Sequence, residues 1–312
     1  MANISHLTDG KLPLGSFRSL LERLQEQGGP NPGDYLDLND LLDGLYSAIQ
    51  AGRISMEEIR AAWAALGDAG TSPNTCQGFV WCKPHGYAGD FEIIERIYQH
   101  WISPDANLAR WDHYFHSLAA PQAVRNRKDY FHNWLRQKAA HNGHREKRIL
   151  NLASGPGRDL FEWCTHDPQN GFLFDCVDSD ANAIQYANNL CAAFSERIVF
   201  HHNNAFRFWP HQQPHLIWSG GLFDYLDDQQ FSRLLCRLYR FLAPAGEMVV
   251  GNFSAKNPTR CYMEIGNWLL NHRSSDQLKL LARQADIPDE AIQVKSEPLN
   301  VNLFLHVTKP AS

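Results

Sequence analysis

No stretch of the chain holds the roughly 18 consecutive apolar residues that crossing a bilayer requires, so no membrane span is expected. The opening MANISHLTDGKLPLG lacks a basic region followed by an apolar core, which argues against a secretory signal and for a cytoplasmic protein. HExxH is absent, and the seven cysteines (Cys76, Cys82, Cys164, Cys176, Cys191, Cys236 and Cys261) form no CxxC pair. Cys76, Cys82 and His85 lie close in sequence, but no fourth ligand stands nearby, so no metal is expected. Several thiols sit in apolar stretches such as FDCVD and RLLCRLY, as buried reduced cysteines do. Positive charge is in short supply as well. The formal net charge of -5 argues against a general nucleic-acid binder, because phosphate binding needs basic surface, but it leaves room for a local basic pocket.

What is present is ordinary globular material: 312 residues, 44% hydrophobic and 20% charged, enough for two modest domains or one large one. Up to about residue 145 the periodicity is helical. Phe17, Leu20, Leu21 and Leu24 share a face that Gly28-Gly29-Pro30 terminates, and Leu38, Leu41, Leu42, Leu45 and Ile49 form a second stripe. Ser55 and Glu58 make a capping box ahead of Ile59, Ala62, Trp63 and Leu66. Further helices are expected from Phe91 to about Trp101 and from Pro121 to about Lys138. From Arg148 onward short apolar strands alternate with helices. The strands are expected at Ile149–Ala153, Phe172–Val177, Ile198–His202, Leu216–Trp218, Glu247–Asn252, Ile292–Ser296 and Asn302–Thr308. Phe231, Leu234, Leu235, Leu238, Tyr239 and Leu242 give one connecting helix a wide apolar face. This alternation implies an α/β fold: a mostly parallel sheet of seven strands covered on both sides, preceded by a helical domain. The loop between the last two strands is too short for a parallel crossover and predicts an antiparallel hairpin. The expected domains are residues 1–145, helical, and residues 146–312, α/β.

Chemistry gathers at the expected strand ends. The first strand runs into Asn151-Leu-Ala-Ser-Gly-Pro-Gly-Arg158, a glycine-rich turn before a helix, where backbone can approach a ligand closely. The third glycine of a dinucleotide fingerprint is missing, since Leu160 fills its slot, which speaks against a nicotinamide cofactor. The second strand ends at Asp178, followed by Ser179 and Asp180. A carboxylate there can accept from both hydroxyls of a ribose, or it can cap the next helix. After the third strand, Asn204 can read an adenine edge while Ala205 or Phe206 packs on the ring, unless the segment is only a polar turn. The fourth strand ends in Ser219-Gly220-Gly221-Leu222-Phe223-Asp224-Tyr225, whose small residues leave room for a reacting group.

In this order and placement the segments resemble the class I S-adenosylmethionine-dependent methyltransferases. NLASGPGRD looks like the family's first motif, FDCVDSD its ribose-binding acid, HHNNAF its adenine segment and LIWSGGLFDYL its fourth motif. The likeness covers about residues 146 to 312 and implies a Rossmann-like cofactor domain with S-adenosyl-L-methionine as the cofactor. It implies a cofactor turn of Ala153, Ser154, Gly155 and Gly157, ribose contacts from Asp178 and Ser179, adenine contacts from Asn204, Ala205 and Phe206, and Ser219 and Gly220 beside the methyl group. Asn151 departs from the family, which usually has an acid there. Lys83-Pro-His-Gly-Tyr-Ala-Gly-Asp90 and Ala123-Val-Arg-Asn-Arg127 resemble a bacterial group that includes enzymes making 3-hydroxy fatty acid methyl esters.

The helical half is then expected to act as a lid, with Tyr87 reaching cofactor or substrate and Arg125 or Arg127 holding the cofactor's carboxylate. The Asn- and aromatic-rich stretch after the fifth strand suggests a substrate wall of Asn252, Tyr262, Glu264, Trp268 and Arg273, although an amphipathic packed helix fits it equally. The expected reaction is methyl transfer to a small or lipid-like acceptor, with a leaning to carboxyl O-methylation. A carboxylate acceptor needs no base, being ionised at neutral pH. A hydroxyl or ammonium acceptor needs one, for which Tyr225 and Asp224 are the candidates and His113 and His116 more remote ones. A non-catalytic S-adenosylmethionine-binding sensor or partner subunit is the alternative of another class.

Overall fold

The computed structural model describes residues 12–140, 147–167 and 171–311. Residues 1–11 of the opening segment, and residues 145 and 146 on either side of the expected domain boundary, lie outside the described residues. The chain divides into two compact units. One comprises the residues up to Gln122 together with Pro258–Leu269, and the other Ala123–Asn257 with Leu270–Ser312. Both differences from a cut at 145 have a packing cause. Phe131, Trp134 and Leu135 belong to the core of the sheet, and Tyr262 packs edge-on against Trp63 and Tyr114, ring centroids 5.4 and 5.7 Å apart.

The first unit is helical: α1 (Leu12–Glu26), α2 (Tyr35–Gln50), α3 (Met56–Ala64), α4 (Asp68–Thr71), α5 (Cys76–Cys82), α6 (Phe91–Tyr98), α7 (Ala109–Ser117) and, from the later segment, α12 (Arg260–Ile265). The stripes buried are those the periodicity predicts, with Phe17, Leu21 and Leu24 on α1, Leu38, Leu42 and Leu45 on α2, and Ile59 and Trp63 on α3. The Ser55–Glu58 capping box starts α3. Cys76, Cys82 and His85 serve separate contacts: the thiols donate to the carbonyls of Trp101 (3.7 Å) and Thr71 (2.9 Å), while the imidazole lies 3.1 Å from Glu92. Among the described residues no helix is long and apolar enough to cross a membrane.

The second unit holds α8 (Ala119–Ala140, of which residues 123 onward belong here), β1 (Lys147–Leu152), α9 (Arg158–His166), β2 (Phe172–Asp178), α10 (Ala181–Leu190), β3 (Ile198–His202), β4 (Leu216–Ser219), α11 (Asp228–Phe241), β5 (Glu247–Phe253), α13 (Ser275–Gln284), β6 (Ile292–Ser296) and β7 (Asn302–Thr308). The seven strands lie in the order β3-β2-β1-β4-β5-β7-β6. The first five pair in parallel; β7 runs antiparallel to both neighbours, as the short β6–β7 loop requires. Alternation along β1 feeds two cores. Ile149 joins Phe131, Trp134 and Trp163 on one face, while Leu150 and Leu152 join Phe231, Leu234, Leu238 and Leu281 on the other. Each such fully buried side chain contributes about 1.5–3 kcal/mol relative to exposure, so the paired cores dominate the stability of the sheet. The chain reverses between β1 and β4, so the neighbouring crossovers leave in opposite directions and open a crevice at the strands' carboxyl ends.

A buried polar cluster sits at the opposite edge of β5. Glu247 pairs with Lys138 of α8 and with His306 Nδ1 of β7 (2.6 Å), and His306 Nε2 meets the Tyr130 hydroxyl at 2.6 Å. Burial raises the Glu247 pKa, but the hydrogen bonds from His306 and Lys138 outweigh it and hold the carboxyl at about 2. A depressed carboxyl stabilises the fold above its unfolded value, near 4.5, and that contribution is lost as pH falls toward about 2. In urea titrations run between pH 5 and pH 2, Glu247→Gln is therefore expected to lose less stability over that interval than the parent. Parallel curves for the two proteins would contradict the assignment.

Candidate functional site

The turn after β1 is built from unusual backbone. Ala153, Gly155 and Gly157 all have positive φ, +52°, +57° and +71°. At Gly155 an added Cβ would meet nothing within 4 Å, so the backbone there faces open space. Gly157 is pressed instead: a Cβ would stand 3.2 Å from the Ala187 Cβ, which holds α9 and α10 close together. Ala153 occupies a left-handed position without being glycine, at a cost of about 1 kcal/mol.

The carboxylate of Asp178, at the end of β2, accepts the Gly155 amide at 2.9 Å and the Asp180 amide at 3.0 Å. Asp180, not Asp178, caps α10 through the Asn182 amide at 2.8 Å. The competition left open by the sequence is thus resolved, and Asp178 holds the glycine turn. Burial raises its pKa, and the surrounding backbone amides oppose that rise. Ser179 is exposed beside it. After β3, the Asn204 side-chain oxygen accepts the Phe206 amide at 2.8 Å, forming a local turn. Ala205 and Phe206 pack, half-buried, on the α11 core.

The end of β4 is crowded. Ser219 is buried and donates to the Leu152 carbonyl (3.1 Å), tying β4 to β1. Arg127 of α8, also buried, donates to the Gly220 carbonyl at 3.0 Å. A Cβ on Gly221 would lie 2.8 Å from the Arg127 guanidinium, and one on Gly251 only 2.4 Å from the Gly220 carbonyl oxygen. Asp224 is buried and accepts the Phe253 amide at 2.5 Å. Burial raises its pKa to about 7, opposed by that hydrogen bond and by the charges of Arg127 and Arg273. Tyr225 next to it is exposed.

The residues of the expected substrate wall are held by contacts within the chain. Arg273 is buried, with its donors bonded to the carbonyls of Phe223 and Leu226 and to Asn252 and Asp228. Asn252 is buried too, donating to the carbonyls of Phe253 and Asn271. Arg273 thus ties the Phe223–Leu226 turn to Asn252 of β5. Tyr262 and Trp268 are buried in the helical unit, where the Tyr262 hydroxyl donates to Gln77, and Glu264 pairs with Arg260 at 2.7 Å. α12 buries Cys261, Tyr262, Met263 and Ile265. Tyr87 is exposed in a turn with positive φ at Gly86 and Gly89. Arg125 is half-buried on α8. His116 is buried, within 2.8 Å of the Trp101 carbonyl, and His113 is exposed.

Two polar atoms at the end of β1 have no hydrogen-bond partner although buried: Asn151 Nδ2 and Ser154 Oγ. Buried polar atoms without partners cost about 1–3 kcal/mol each, and here they flank an open backbone turn that a polar ligand can complete. Asp159 was not singled out as a site residue. It is buried in the first turn of α9, its pKa raised to about 6 by that burial. Its place two residues past Gly157 was the only sign of it in the sequence.

Residues 149–246, from β1 to the start of β5, match the family model of a methyltransferase domain. That stretch of the α/β unit resembles a methyltransferase domain. The chain is accordingly an S-adenosylmethionine-dependent methyltransferase, and the open turn, the Asp178 carboxylate and the unpartnered atoms beside them fit that cofactor. A search of curated proteins found no match. Among solved structures, a possible exported protein from Bordetella parapertussis aligns over 100% of both chains with a TM-score of 0.58 and 18% identity. The CMeT domain of the citrinin polyketide synthase aligns over 87% of this chain and 69% of that one, with a TM-score of 0.51 and 13% identity. At these identities the likeness is one of fold, and it extends beyond the methyltransferase domain.

Backbone geometry at this edge gives two opposite expectations for stability. Ala153→Gly relieves a left-handed alanine and is expected to raise the urea midpoint modestly, by about 0.5 kcal/mol after the entropy cost of glycine. Gly251→Ala drives a Cβ into the Gly220 carbonyl and is expected to lose roughly 2–3 kcal/mol. A midpoint for Gly251→Ala equal to that of the parent would mean the two strand ends are not in contact.

Proposed function

We propose that the methyltransferase domain holds S-adenosylmethionine along Ala153, Ser154, Gly155 and Gly157, with Asp178 and Ser179 at the ribose, Asn204, Ala205 and Phe206 at the adenine, and Ser219 and Gly220 beside the sulfonium. The observation that carries this reading is the hydrogen bond from the Gly155 amide to Asp178, which links the glycine turn to the last residue of β2. The cofactor supplies an electrophilic methyl group; the chain supplies position and a site sheltered from water. Asn151 offers an amide donor where the resembled family has an acid, and we assign it, with Arg125, to the cofactor's carboxylate rather than its ammonium.

The acceptor we propose is a small or lipid-like carboxylic acid, methylated on oxygen. Support comes from the likeness of Lys83–Asp90 and Ala123–Arg127 to ester-forming enzymes, and from chemistry, since an ionised acid requires no base. A second reading, a hydroxyl or ammonium acceptor, is favoured by the place of Asp224, whose carboxyl burial pushes up to about 7, into the range of a general base. Tyr225, exposed next to it, would then contact the acceptor. For the helical unit we propose the role of cover, with Tyr87 as its contributing residue, and for the protein a cytoplasmic location.

The test is incubation of the full chain with S-adenosylmethionine and a panel of carboxylic acids, alcohols and amines, following S-adenosylhomocysteine. Turnover confined to acids is expected; turnover only with amines or alcohols, rising with a pKa near 7, would establish the second reading. Tight cofactor binding with no turnover on any acceptor would favour the sensor alternative. Tyr87→Phe and Arg125→Ala are each expected to lower turnover, and normal kinetics in both would remove the cover and the Arg125 contact. Asp178→Ala is expected to weaken cofactor affinity by at least tenfold in calorimetry while the far-ultraviolet circular dichroism stays that of the parent. Unchanged affinity would overturn the ribose assignment.

A further inference from the structure

The connection from β3 to β4, residues 203–215, contains no helix or strand. A parallel crossover of this kind ordinarily carries a helix that covers its neighbour. Here its irregular path leaves one side of α11 open, and between the two lies a groove of about 680 Å³. Arg233, Arg237 and Arg240 line it from α11, at the i, i+4 and i+7 spacing that puts them on one side of a helix. Trp209 and Phe241 line it too, and no aspartate or glutamate does. In a chain of net charge -5 this is a local concentration of positive charge.

The aromatic side of the groove is organised around Arg237. Its guanidinium carbon lies 5.3 Å from the Trp209 ring centroid and 4.9 Å from that of Phe241, and the two rings meet edge to face at 4.6 Å. Nη2 donates to the Phe208 carbonyl at 2.9 Å, while Nε is buried without a partner. Arg233 and Arg240 are exposed, and Trp209 presents 66% of its surface to solvent. Like charges at i, i+4 weaken a helix, so this arrangement costs α11 stability, and an anion would reverse the sign. An exposed indole beside a guanidinium cluster offers a flat apolar surface and charge-assisted donors within one groove.

We propose that this groove is a binding site for an organic anion, in which a phosphate or carboxylate sits on the α11 arginines and a flat ring lies against Trp209. Its arginines and Trp209 lie apart from the glycine turn and Asp178; only Phe206 is shared with the segment assigned to the adenine. The site does not depend on which acceptor the enzyme methylates.

Phenyl phosphate is the probe, titrated calorimetrically into the full chain, with inorganic phosphate and a polyglutamate peptide as comparisons. One saturable site is expected, weakened at least tenfold by Trp209→Ala and by Arg240→Gln, weaker at least tenfold for inorganic phosphate, and retained in Asp178→Ala. Arg240 is exposed, so Arg240→Gln leaves the fold intact even if Arg237→Gln does not. Failure of phenyl phosphate to saturate, or binding indifferent to both Trp209→Ala and Arg240→Gln, would overturn the proposal. So would equal affinity for inorganic phosphate, which would indicate an adventitious ion only. Loss of binding in Asp178→Ala would assign the probe to the cofactor site instead. Arginine-dependent binding of polyglutamate in place of phenyl phosphate would identify an acidic protein surface as the occupant and reject the small anion.

Discussion

A single charge-assisted hydrogen bond, from the Gly155 amide to the Asp178 carboxylate, joins positions 23 residues apart and sets the shape of the ligand edge. It holds the turn after β1 against the end of β2, so that the positive φ angles at Ala153, Gly155 and Gly157 are kept in place before any ligand arrives. The bond is available because Asp180 takes over the capping of α10. Two adjacent carboxylates therefore divide two tasks that a lone acid would have to share. Preorganisation of this kind means that binding need not order the turn.

The far half of the edge is held differently, by buried charge. Arg127, Asp224 and Arg273 lie in or beside the strand ends of β4 and β5, bonded largely to backbone carbonyls and amides. Close-packed glycines at 220, 221 and 251 make room for them. Such groups are costly to bury and gain little net stability over an apolar core. What they supply is a fixed path for the Phe223–Leu226 turn, which carries Tyr225 at the surface. Burial that serves geometry also shifts titration, and the Asp224 carboxyl is pushed up to about 7 as a by-product of its structural place.

The sheet was legible because its signals are local. The seven strands fall within one or two residues of the expected spans, since alternation and short apolar runs depend only on neighbouring residues. The β6–β7 hairpin followed from loop length, and the turn after β1 from its glycines. The segment Pro258–Leu269 was not legible as part of the helical unit, because its partners, among them Trp63 and Tyr114, are far away in sequence. For the same reason the bonds of Asn252 and Arg273 to buried carbonyls could not be read from the sequence. Whether a polar side chain meets a substrate or a buried carbonyl is decided by tertiary neighbours, and residue type alone carries no mark of it. The Asp178 and Asp180 roles were separable only once the backbone directions at the strand end were known.

The interrupted course of the chain through its helical unit has a topological consequence. That unit is closed by α12, which arrives only after β5 has been laid down, so the amino-terminal helices lack their final piece until most of the sheet exists. During synthesis the rings of Trp63 and Tyr114 must wait for Tyr262, some 150 to 200 residues downstream. A trimmed version beginning at residue 123 would inherit the mirror problem, with Cys261, Tyr262, Met263 and Ile265 released from their core and turned toward water on a six-residue helix. The two units are thus interleaved in chain order, and neither can be excised by a single cut.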